Sequence, residues 1–292
     1  REFFSLPIDE AAVGEALAAL RDAAPPAAGP QERQPGQILH VIGSKGGVGT
    51  TTVAVNLATS LMTERQGLKV ALLDLNTLFG DIPLFLDLKS KFHWGEITKH
   101  IDRLDDTFLA NILEPHSSGV KVLTSPAHLN GHIAPTPETM DRLLGLMRTM
   151  FDFVIVDGGQ STGDTSLRVL QLSEAVLLVS VLSLPCLANT NKLLKSLTQL
   201  GYAPREKIRV VINRFLKRAD VSLKDAEEGI RQKPFWVVPN DYASSMSAIN
   251  QGKPLMDLAP RAAITESFRG MARAFLPEDR PATRKRGLFL RR

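Results

Sequence analysis

The sequence predicts an α/β protein with a mainly parallel, doubly wound sheet that carries helices on both faces. From residue 38 onward, short runs of apolar and β-branched residues alternate with helical patterns. Because these runs are apolar throughout, we expect strands that are buried on both faces, as in parallel sheets covered by helices. The predicted strands are 38–42, 69–73, 120–124, 153–156, 175–181, 208–212 and 236–238. The helix candidates between them are 51–64, 137–150, 189–200 and 242–251.

The composition is that of a globular protein of the cytoplasm. The chain has 292 residues, 43% of them hydrophobic, which is enough for one substantial core. It contains neither an uncharged apolar run of about 18 residues nor the pattern of a signal peptide, so we expect a cytoplasmic protein. Cys186 is the single cysteine and the six histidines are scattered. A disulfide, a cysteine cluster and a metal site made by protein alone are therefore not expected.

A glycine-rich loop joins the first predicted strand to the first predicted helix. Gly46, Gly47 and Gly49 let successive backbone N–H groups point at one anion, and the helix that follows adds its positive end. Thr51 occupies the place at which a hydroxyl ligates magnesium in phosphate loops. We expect a side chain added at Gly49 to enter the phosphate site. The loop therefore predicts binding of a nucleotide phosphate chain.

The loop departs from the standard pattern G-x-x-x-x-G-K-[ST]. Ser44 stands where its first glycine would be, Thr50 stands where its lysine would be, and Lys45 lies early in the loop. This KGGVG core resembles the deviant Walker A motif of the MinD/ParA family of P-loop NTPases, whose early lysine reaches the partner's nucleotide across a dimer interface. The resemblance implies ATP and Mg²⁺ as cofactors. It assigns to the nucleotide Gly46, Gly47, Val48, Gly49, Thr50, Thr51 and Thr52, and to catalysis Lys45.

A second polar site follows the predicted strand 69–73. Asp74 and Asn76 should emerge at its carboxyl end, beside the phosphates. The position resembles the family's D-x-D switch, whose second Asp positions the attacking water, and it places Asp74 in the magnesium site. Asn76 can hold a water but cannot accept its proton, so hydrolysis is expected to be slow or absent. The alternative is a strand end with ordinary turn-forming residues.

The strand 153–156 ends on Asp157, Gly158 and Gly159. This resembles Walker B, in which Asp157 would accept hydrogen bonds from magnesium-bound water and the two glycines would permit a loop that responds to the γ-phosphate. Thr51, Asp74 and Asp157 therefore form the expected metal site, partly through water. A lone Asp after a strand is otherwise a helix cap.

Two later strand ends are expected to meet the base. Asn213 and Arg214 resemble the family's N-R-[FY] element, in which the Asn amide reads the adenine edge. Pro239, Asn240 and Asp241 resemble the P-N-D-Y segment of the CpaE/TadZ branch, which lies against the base. Asn-Asp after Pro is also ordinary turn chemistry, so this second assignment stays open.

The CpaE/TadZ branch, which serves assembly and polar placement of Tad-type pili, is also indicated by the loop sequence KGGVGTT and by AINQGKPL at 248–255. The resemblance implies an ATP-dependent homodimer whose partners are the pilus secretion ATPase and pole-marking proteins. It places the protein in the cytoplasm, at the inner face of the membrane or at the cell pole. The rival functions are a ParA-type DNA-partition ATPase, an enzyme that uses ATP on a substrate, and a scaffold without turnover. Mixed charges, as in KDAEE at 224–228, disfavour DNA.

The predicted domain organisation has four segments. Residues 1–22 begin REFFSLPIDE, which resembles the end of a response-regulator receiver domain, and the chain starts without Met, so we expect sequence before it. Residues 23–37 are rich in Pro, Ala and Gly and predict a linker. Residues 38–277 form the ATPase domain. The tail 278–292 is basic, and we expect either a weak tether to an anionic membrane or partner, or a solvated end.

Overall fold

The computed structural model describes residues 34–76, 80–126 and 135–277. Backbone contacts divide the chain into two compact units, 1–35 and 36–292, and the architecture below is that of the second. The predicted receiver remnant 1–22, most of the linker 23–37 and the basic tail 278–292 lie outside the described residues.

The described residues form one eight-stranded sheet with the order β3-β4-β2-β5-β1-β6-β7-β8. All neighbouring strands are parallel except β3 and β4. The strands are β1 Gln37–Gly43, β2 Val70–Asp74, β3 Glu114–Pro115, β4 Lys121–Leu123, β5 Phe153–Asp157, β6 Ala175–Ser180, β7 Ile208–Phe215 and β8 Trp236–Pro239. The α-helices are α1 Thr50–Glu64, α2 Ile82–Phe85, α3 Trp94–Lys99, α4 Asp106–Ile112, α5 Pro137–Met150, α6 Asp164–Leu172, α7 Leu184–Gln199, α8 Leu223–Ile230, α9 Tyr242–Gln251, α10 Leu255–Leu258 and α11 Ala263–Arg273. Two 3₁₀ turns are Ile101–Arg103 and Arg205–Lys207.

The central strand β1 shows why helices cover both faces. Alternate residues of a strand point to opposite sides of the sheet, and in β1 both sets include buried apolar residues. Leu39 and Val41 join the core cluster that includes α1 and α11, whereas Ile38 and Ile42 join the two clusters formed with helices of the opposite face. All four side chains are buried. The predicted α/β fold with a mainly parallel sheet is confirmed.

The predicted strands all occur, with ends that differ from the predictions by at most three residues. β1 begins at Gln37, inside the predicted linker. The helix predicted at 189–200 begins earlier, at Leu184, because Pro185 at its start lacks an N–H that the first turn would leave unsatisfied. The edge strand β3 has two residues and includes Pro115, so no alternation could reveal it.

The strand order positions the site. β1 lies between β5 and β6. Strands β2 to β5 lie on one side of β1, and strands β6 to β8 lie on the other, so the strand order reverses at β1. Ligands of open α/β sheets bind at the carboxyl ends of the strands beside such a switch point. The carboxyl end of β1 is therefore the expected place for a ligand. In the described part of the chain no helix has the length and apolar character needed to span a bilayer.

We expect the last helix to carry a large share of the stability, since its Phe268 is fully buried in the cluster that contains α1. Phe268→Ala should lower the free energy of unfolding by about 3–5 kcal/mol. The matched control is Phe92→Ala, because Phe92 is 45% exposed and its truncation should cost about 0.5 kcal/mol. Urea denaturation followed by circular dichroism measures both, and equal losses would contradict the packing described here.

Candidate functional site

The loop between β1 and α1 has the backbone that its glycines predict. Gly47 and Gly49 have φ values of 76° and 93°, in the left-handed region that favours glycine. Gly49 is also the N-cap of α1 and offers no side-chain acceptor to the first amides of that helix. Those amides and the positive end of α1 therefore remain available to an anion.

Four hydrogen bonds fix this loop to the sheet, and one of them runs from the Ser44 hydroxyl to the Ser180 hydroxyl (3.3 Å). The Gly43 N–H donates to the carbonyl of Gly159 (2.8 Å), and the Ser44 N–H donates to the carbonyl of Val179 (2.8 Å). The Asn213 amide donates to the carbonyl of Val48 (2.8 Å), whose side chain is buried. The loop is thus attached to the ends of β5, β6 and β7 before any ligand arrives.

Asn213 braces the loop from below. It is 4% exposed, its amide nitrogen bonds Val48 and its side-chain oxygen accepts from the Arg214 N–H (2.9 Å). The amide nitrogen keeps a second N–H and the oxygen a second lone pair, and the expected contact with adenine stays a prediction. A Cβ at Gly49 would collide with the Asn213 amide. Entry of a larger side chain into the phosphate site stays a prediction.

Two acids meet at the carboxyl ends of β2 and β5. Asp74 and Asp157 are partners in the parallel register and are 0% and 1% exposed. Asp157 accepts from the Thr51 hydroxyl (2.6 Å) and from the Gly159 N–H (3.2 Å). Asp74 accepts from the N–H groups of Asn76 (3.0 Å) and Ile82 (3.4 Å). The loop, both acid-bearing strands and α1 therefore converge.

Burial dominates the electrostatics of this pair. It raises the pKa of Asp157 to about 6, against the opposing hydrogen bonds from Thr51 and Gly159. Burial, and next the charge of Asp157, raise the pKa of Asp74 well above its usual range. Adjacent carboxylates in a low-dielectric site favour either a proton or a cation.

These residues fit a magnesium ion. Thr51, Asp74 and Asp157 supply hydroxyl and carboxylate oxygens, which are the donors that Mg²⁺ prefers. In the described ranges no group of three or more His, Cys, Asp or Glu side chains could hold a metal. The ion would therefore complete its coordination with phosphate oxygens and water.

A cavity of about 700 Å³ opens above the loop. The predicted site residues that line it are Lys45, Gly46, Gly47, Gly49, Thr50, Thr51, Thr52, Asn76 and Arg214. Those that do not line it are Val48, Asp74, Asp157, Asn213, Pro239, Asn240 and Asp241. Val48, Asp74, Asp157 and Asn213 are buried beneath it. Lys45 is exposed at its mouth.

The segment after β8 has the hydrogen bonds of a turn. Asp241 caps α9 by accepting from the Ser244 N–H (3.0 Å), and the Asn240 N–H donates to the carbonyl of Phe215 (2.9 Å). These are the turn contacts that the sequence analysis gave as the alternative to a contact with the base. Contact of Pro239, Asn240 and Asp241 with a base remains a prediction.

Sequence reasoning missed three polar residues that line the cavity, Asp81, Gln160 and Ser161. The Gln160 amide nitrogen lies 2.8 Å from the position of a Cβ at Gly46, so this side chain lies across the loop. Asp81 follows Gly80 and stands directly before α2. The only available signal was their closeness in sequence to Asp157 and Asn76.

His40 lies beneath the end of β5. It is fully buried, and burial lowers its pKa to about 3, so the ring is neutral. Neither ring nitrogen has a hydrogen-bond partner within the described structure. A Cβ at Gly158 would collide with its Nε2. Close packing against His40 therefore also requires a glycine at position 158, in addition to the loop mobility expected from the sequence.

Comparison with known proteins identifies relatives over the same region. The ParA family model, described as NUBPL iron-transfer P-loop NTPase, matches residues 34–202, more than half of the chain. The chain is 25% identical to septum site-determining protein MinD of Thermotoga maritima, over 84% of this chain and 90% of the relative. It is 26% identical to antiactivator FleN of Pseudomonas aeruginosa (82% and 85%). It is 25% identical to chromosome partitioning protein ParA of Myxococcus xanthus (86% and 92%).

Solved structures show the same fold. A ParA family ATPase from Chlorobium tepidum superposes with a TM-score of 0.77 at 23% identity, over 82% of this chain and 99% of that chain. MinD of Pyrococcus horikoshii, complexed with Mg-ADP, gives a TM-score of 0.70 at 20% identity, over 82% and 95%.

The Gly49 environment predicts a specific loss of nucleotide affinity. Gly49→Ala should displace the Asn213 amide, release Val48 and weaken ATP binding by about tenfold or more, which equals about 1.4 kcal/mol. The control is Gly67→Ala. Gly67 also has a positive φ, 81°, but a Cβ there meets nothing within 4 Å. It should cost about 1–2 kcal/mol of stability and leave affinity unchanged. Isothermal titration calorimetry decides, and equal affinities for the two variants would contradict this reading.

The raised pKa of Asp157 predicts how stability depends on pH without nucleotide. Between 3.8 and about 6 the folded state holds a proton that the unfolded chain has released, so the free energy of unfolding falls as pH rises through this window. The full effect is about 3 kcal/mol. Urea unfolding at pH 4.5 and 7 should show a smaller fall for Asp157→Asn than for the wild type.

The matched control for that series is Asp220→Asn, which removes an exposed acid between β7 and α8. It should keep the wild-type pH dependence. If Asp157→Asn follows the same curve as this control, the raised pKa is wrong.

Proposed function

The chain belongs to the ParA family of P-loop NTPases, and we propose that it is an ATP-dependent dimerising factor of the CpaE/TadZ branch that helps to assemble and place a Tad-type pilus. The observation that carries the proposal is the position of Lys45. It is exposed at the mouth of the cavity. The glycine loop beside it offers backbone amides to an anion, and the acid pair beneath offers oxygens to a cation.

In this proposal the chain holds ATP with magnesium in two layers. The amides of the loop and of the first turn of α1 bind the phosphates. Thr51, Asp74 and Asp157 hold the ion directly or through water, which neutralises the buried acids. Arg214 lies on the cavity wall, and contact of the base with Arg214 and with the 239–241 segment is part of this proposal.

The same edge of the sheet offers a surface to a second copy. Among the described residues no ion pair involves Lys45. Leu184, Leu216 and Tyr242 follow β6, β7 and β8 and are 74%, 52% and 69% exposed. Apolar side chains of this size at one edge are typical of an interaction surface. A facing copy would cover them and bring its own Lys45 to the phosphates.

The branch assignment rests on sequence resemblance in KGGVGTT, in PNDY at 239–242 and in AINQGKPL at 248–255. By that resemblance the dimer surface recruits a pilus secretion ATPase and pole-marking proteins at the inner face of the membrane. A relative of the family forms a MinC:MinD complex, which supports recruitment as the output. The receiver-like remnant 1–22, the linker 23–37 and the tail 278–292 belong to this proposal, with the tail as a weak anionic tether.

Turnover in this proposal is slow. Thr50 replaces the lysine of the standard loop and Asn76 replaces a general base, a loss worth about 10²- to 10⁴-fold in rate. Calorimetry with ATP and magnesium tests the basic proposal, because no binding at millimolar ATP would refute it. Co-purification with the secretion ATPase in the presence of ATP tests the pilus role. Strongly salt-dependent DNA binding would instead favour DNA partition.

The dimer proposal predicts that Lys45→Ala is a monomer in ATP and magnesium. It should keep part of its nucleotide affinity, because the loop amides are unchanged, but lose the cation that bridges to the other copy's phosphates. Sedimentation velocity with and without ATP measures this.

The matched control is Lys69→Ala, which removes an exposed lysine at the amino end of β2, on the opposite edge of the sheet. It should dimerise like the wild type. If Lys45→Ala still dimerises in ATP, the interface does not depend on this lysine.

A further inference from the structure

Asp81 stands at the mouth of the nucleotide cavity, on the wall that it shares with Asn76. It is the residue before α2 and its side chain makes no capping hydrogen bond. Its backbone carbonyl accepts from the N–H groups of Leu84 and Phe85, so Asp81 contributes its backbone, and not its side chain, to the start of α2. Within the described residues no hydrogen bond or ion pair engages the carboxylate, which is exposed to the cavity.

The segment around Asp81 is fastened to the acid pair. The Ile82 N–H donates to Asp74 (3.4 Å). A Cβ at Gly80 would lie 3.1 Å from the Asp74 carboxylate and would collide with Ser125. The Ser125 hydroxyl in turn donates to the carbonyl of Asn76 (3.1 Å). These contacts on both sides of Asp81 fix its backbone relative to Asp74 and Asn76.

The Asp81 carboxylate acts electrostatically on the two buried acids. Burial is the main cause that raises the pKa of Asp74 and of Asp157, and the negative charge of Asp81 raises both further. Partial desolvation raises the pKa of Asp81 itself. Asp81 is therefore an acid that lies beside the expected magnesium site but is not one of the expected metal ligands.

We propose that Asp81 is the catalytic carboxylate that orients the attacking water and accepts its proton, a task that the amide of Asn76 cannot perform. The inference rests on the proposed function. The water oxygen forms a bond to the γ-phosphorus, while the bond from that phosphorus to the β,γ-bridging oxygen breaks. ADP leaves with the electron pair. The water proton passes to Asp81 and from there to solvent, which leaves inorganic phosphate.

This role agrees with slow turnover. Asp81 stands at the cavity mouth, whereas residue 76 lies two positions after the end of β2. The distance from Asp81 to the nucleotide therefore depends on where the segment after residue 76 lies. Its negative charge close to the γ-phosphate is tolerable only when magnesium and lysine cations are present. Hydrolysis would then depend on the assembled site.

Single-turnover release of labelled phosphate, with full-length protein in excess over ATP and magnesium present, tests the proposal together with calorimetric ATP affinity. Asp81→Asn should slow release by about 10²-fold or more while ATP affinity at saturating magnesium stays within about twofold. Asp81→Glu should retain part of the rate, since it keeps a carboxylate. Asn76→Asp in the Asp81→Asn background should restore turnover.

Asp87→Asn is the matched control. Asp87 is an exposed acid at the other end of the same segment, does not line the cavity and has a φ of 46°, a conformation that Asn tolerates. Its rate should equal that of the wild type.

Equal rates for the wild type, Asp81→Asn and Asp87→Asn would overturn the assignment of Asp81 while leaving ATP binding intact. A weaker magnesium dependence of ATP affinity in Asp81→Asn, with an unchanged rate, would also overturn it and show a metal-binding role. If the wild type does not bind ATP, the proposed function fails, and this inference fails with it.

Discussion

The side-by-side burial of Asp74 and Asp157 is the constraint on which the rest of the site depends. The parallel register of β2 and β5 places the two carboxylates at one level, and neither side chain reaches solvent. Two such groups cannot both be ionised at low cost without a cation. The Thr51 hydroxyl satisfies one oxygen of Asp157, but a neutral donor does not compensate two charges. The protein therefore has a strong electrostatic reason to recruit a divalent ion with its nucleotide.

The loop that faces this pair is held by hydrogen bonds to the sheet. β7 and the segment after β5 each contribute one hydrogen bond to residues 43–48, and β6 contributes two. Asn213 is the most consequential of these anchors, since it connects the phosphate loop to the strand that precedes the expected base site. Its amide nitrogen has a second N–H besides the one that bonds Val48, so this anchor and a contact with a base edge are chemically compatible.

The fold and the buried part of the site could be predicted because they depend on local patterns. Apolar strands that end in Asp74 and Asp157 indicate where those acids emerge, and the glycine loop indicates its own backbone. Asp81 and Gln160 could not be found in this way, because their place in the cavity is set by turns and tertiary contacts after the strands. The same holds for Gly49, whose neighbour Asn213 is more than 160 residues away in sequence. A periodic pattern of apolar residues carries no information about a contact between residues so far apart in sequence.

The charge balance explains why the site should remain incomplete in a single chain. A standard phosphate loop carries a lysine at position 50, and here the Thr50 hydroxyl lies 2.6 Å from the Cβ position at Gly43, directed back toward the end of β1. The lysine that the loop does have, Lys45, is exposed at the cavity mouth. One chain thus sets Asp74, Asp157 and Asp81 beside a triphosphate with few cations of its own. In the proposed dimer, magnesium would offset part of this excess and a second Lys45 from the facing chain would offset more of it. Because the bound triphosphate adds to the negative charge, the proposed association would depend on ATP.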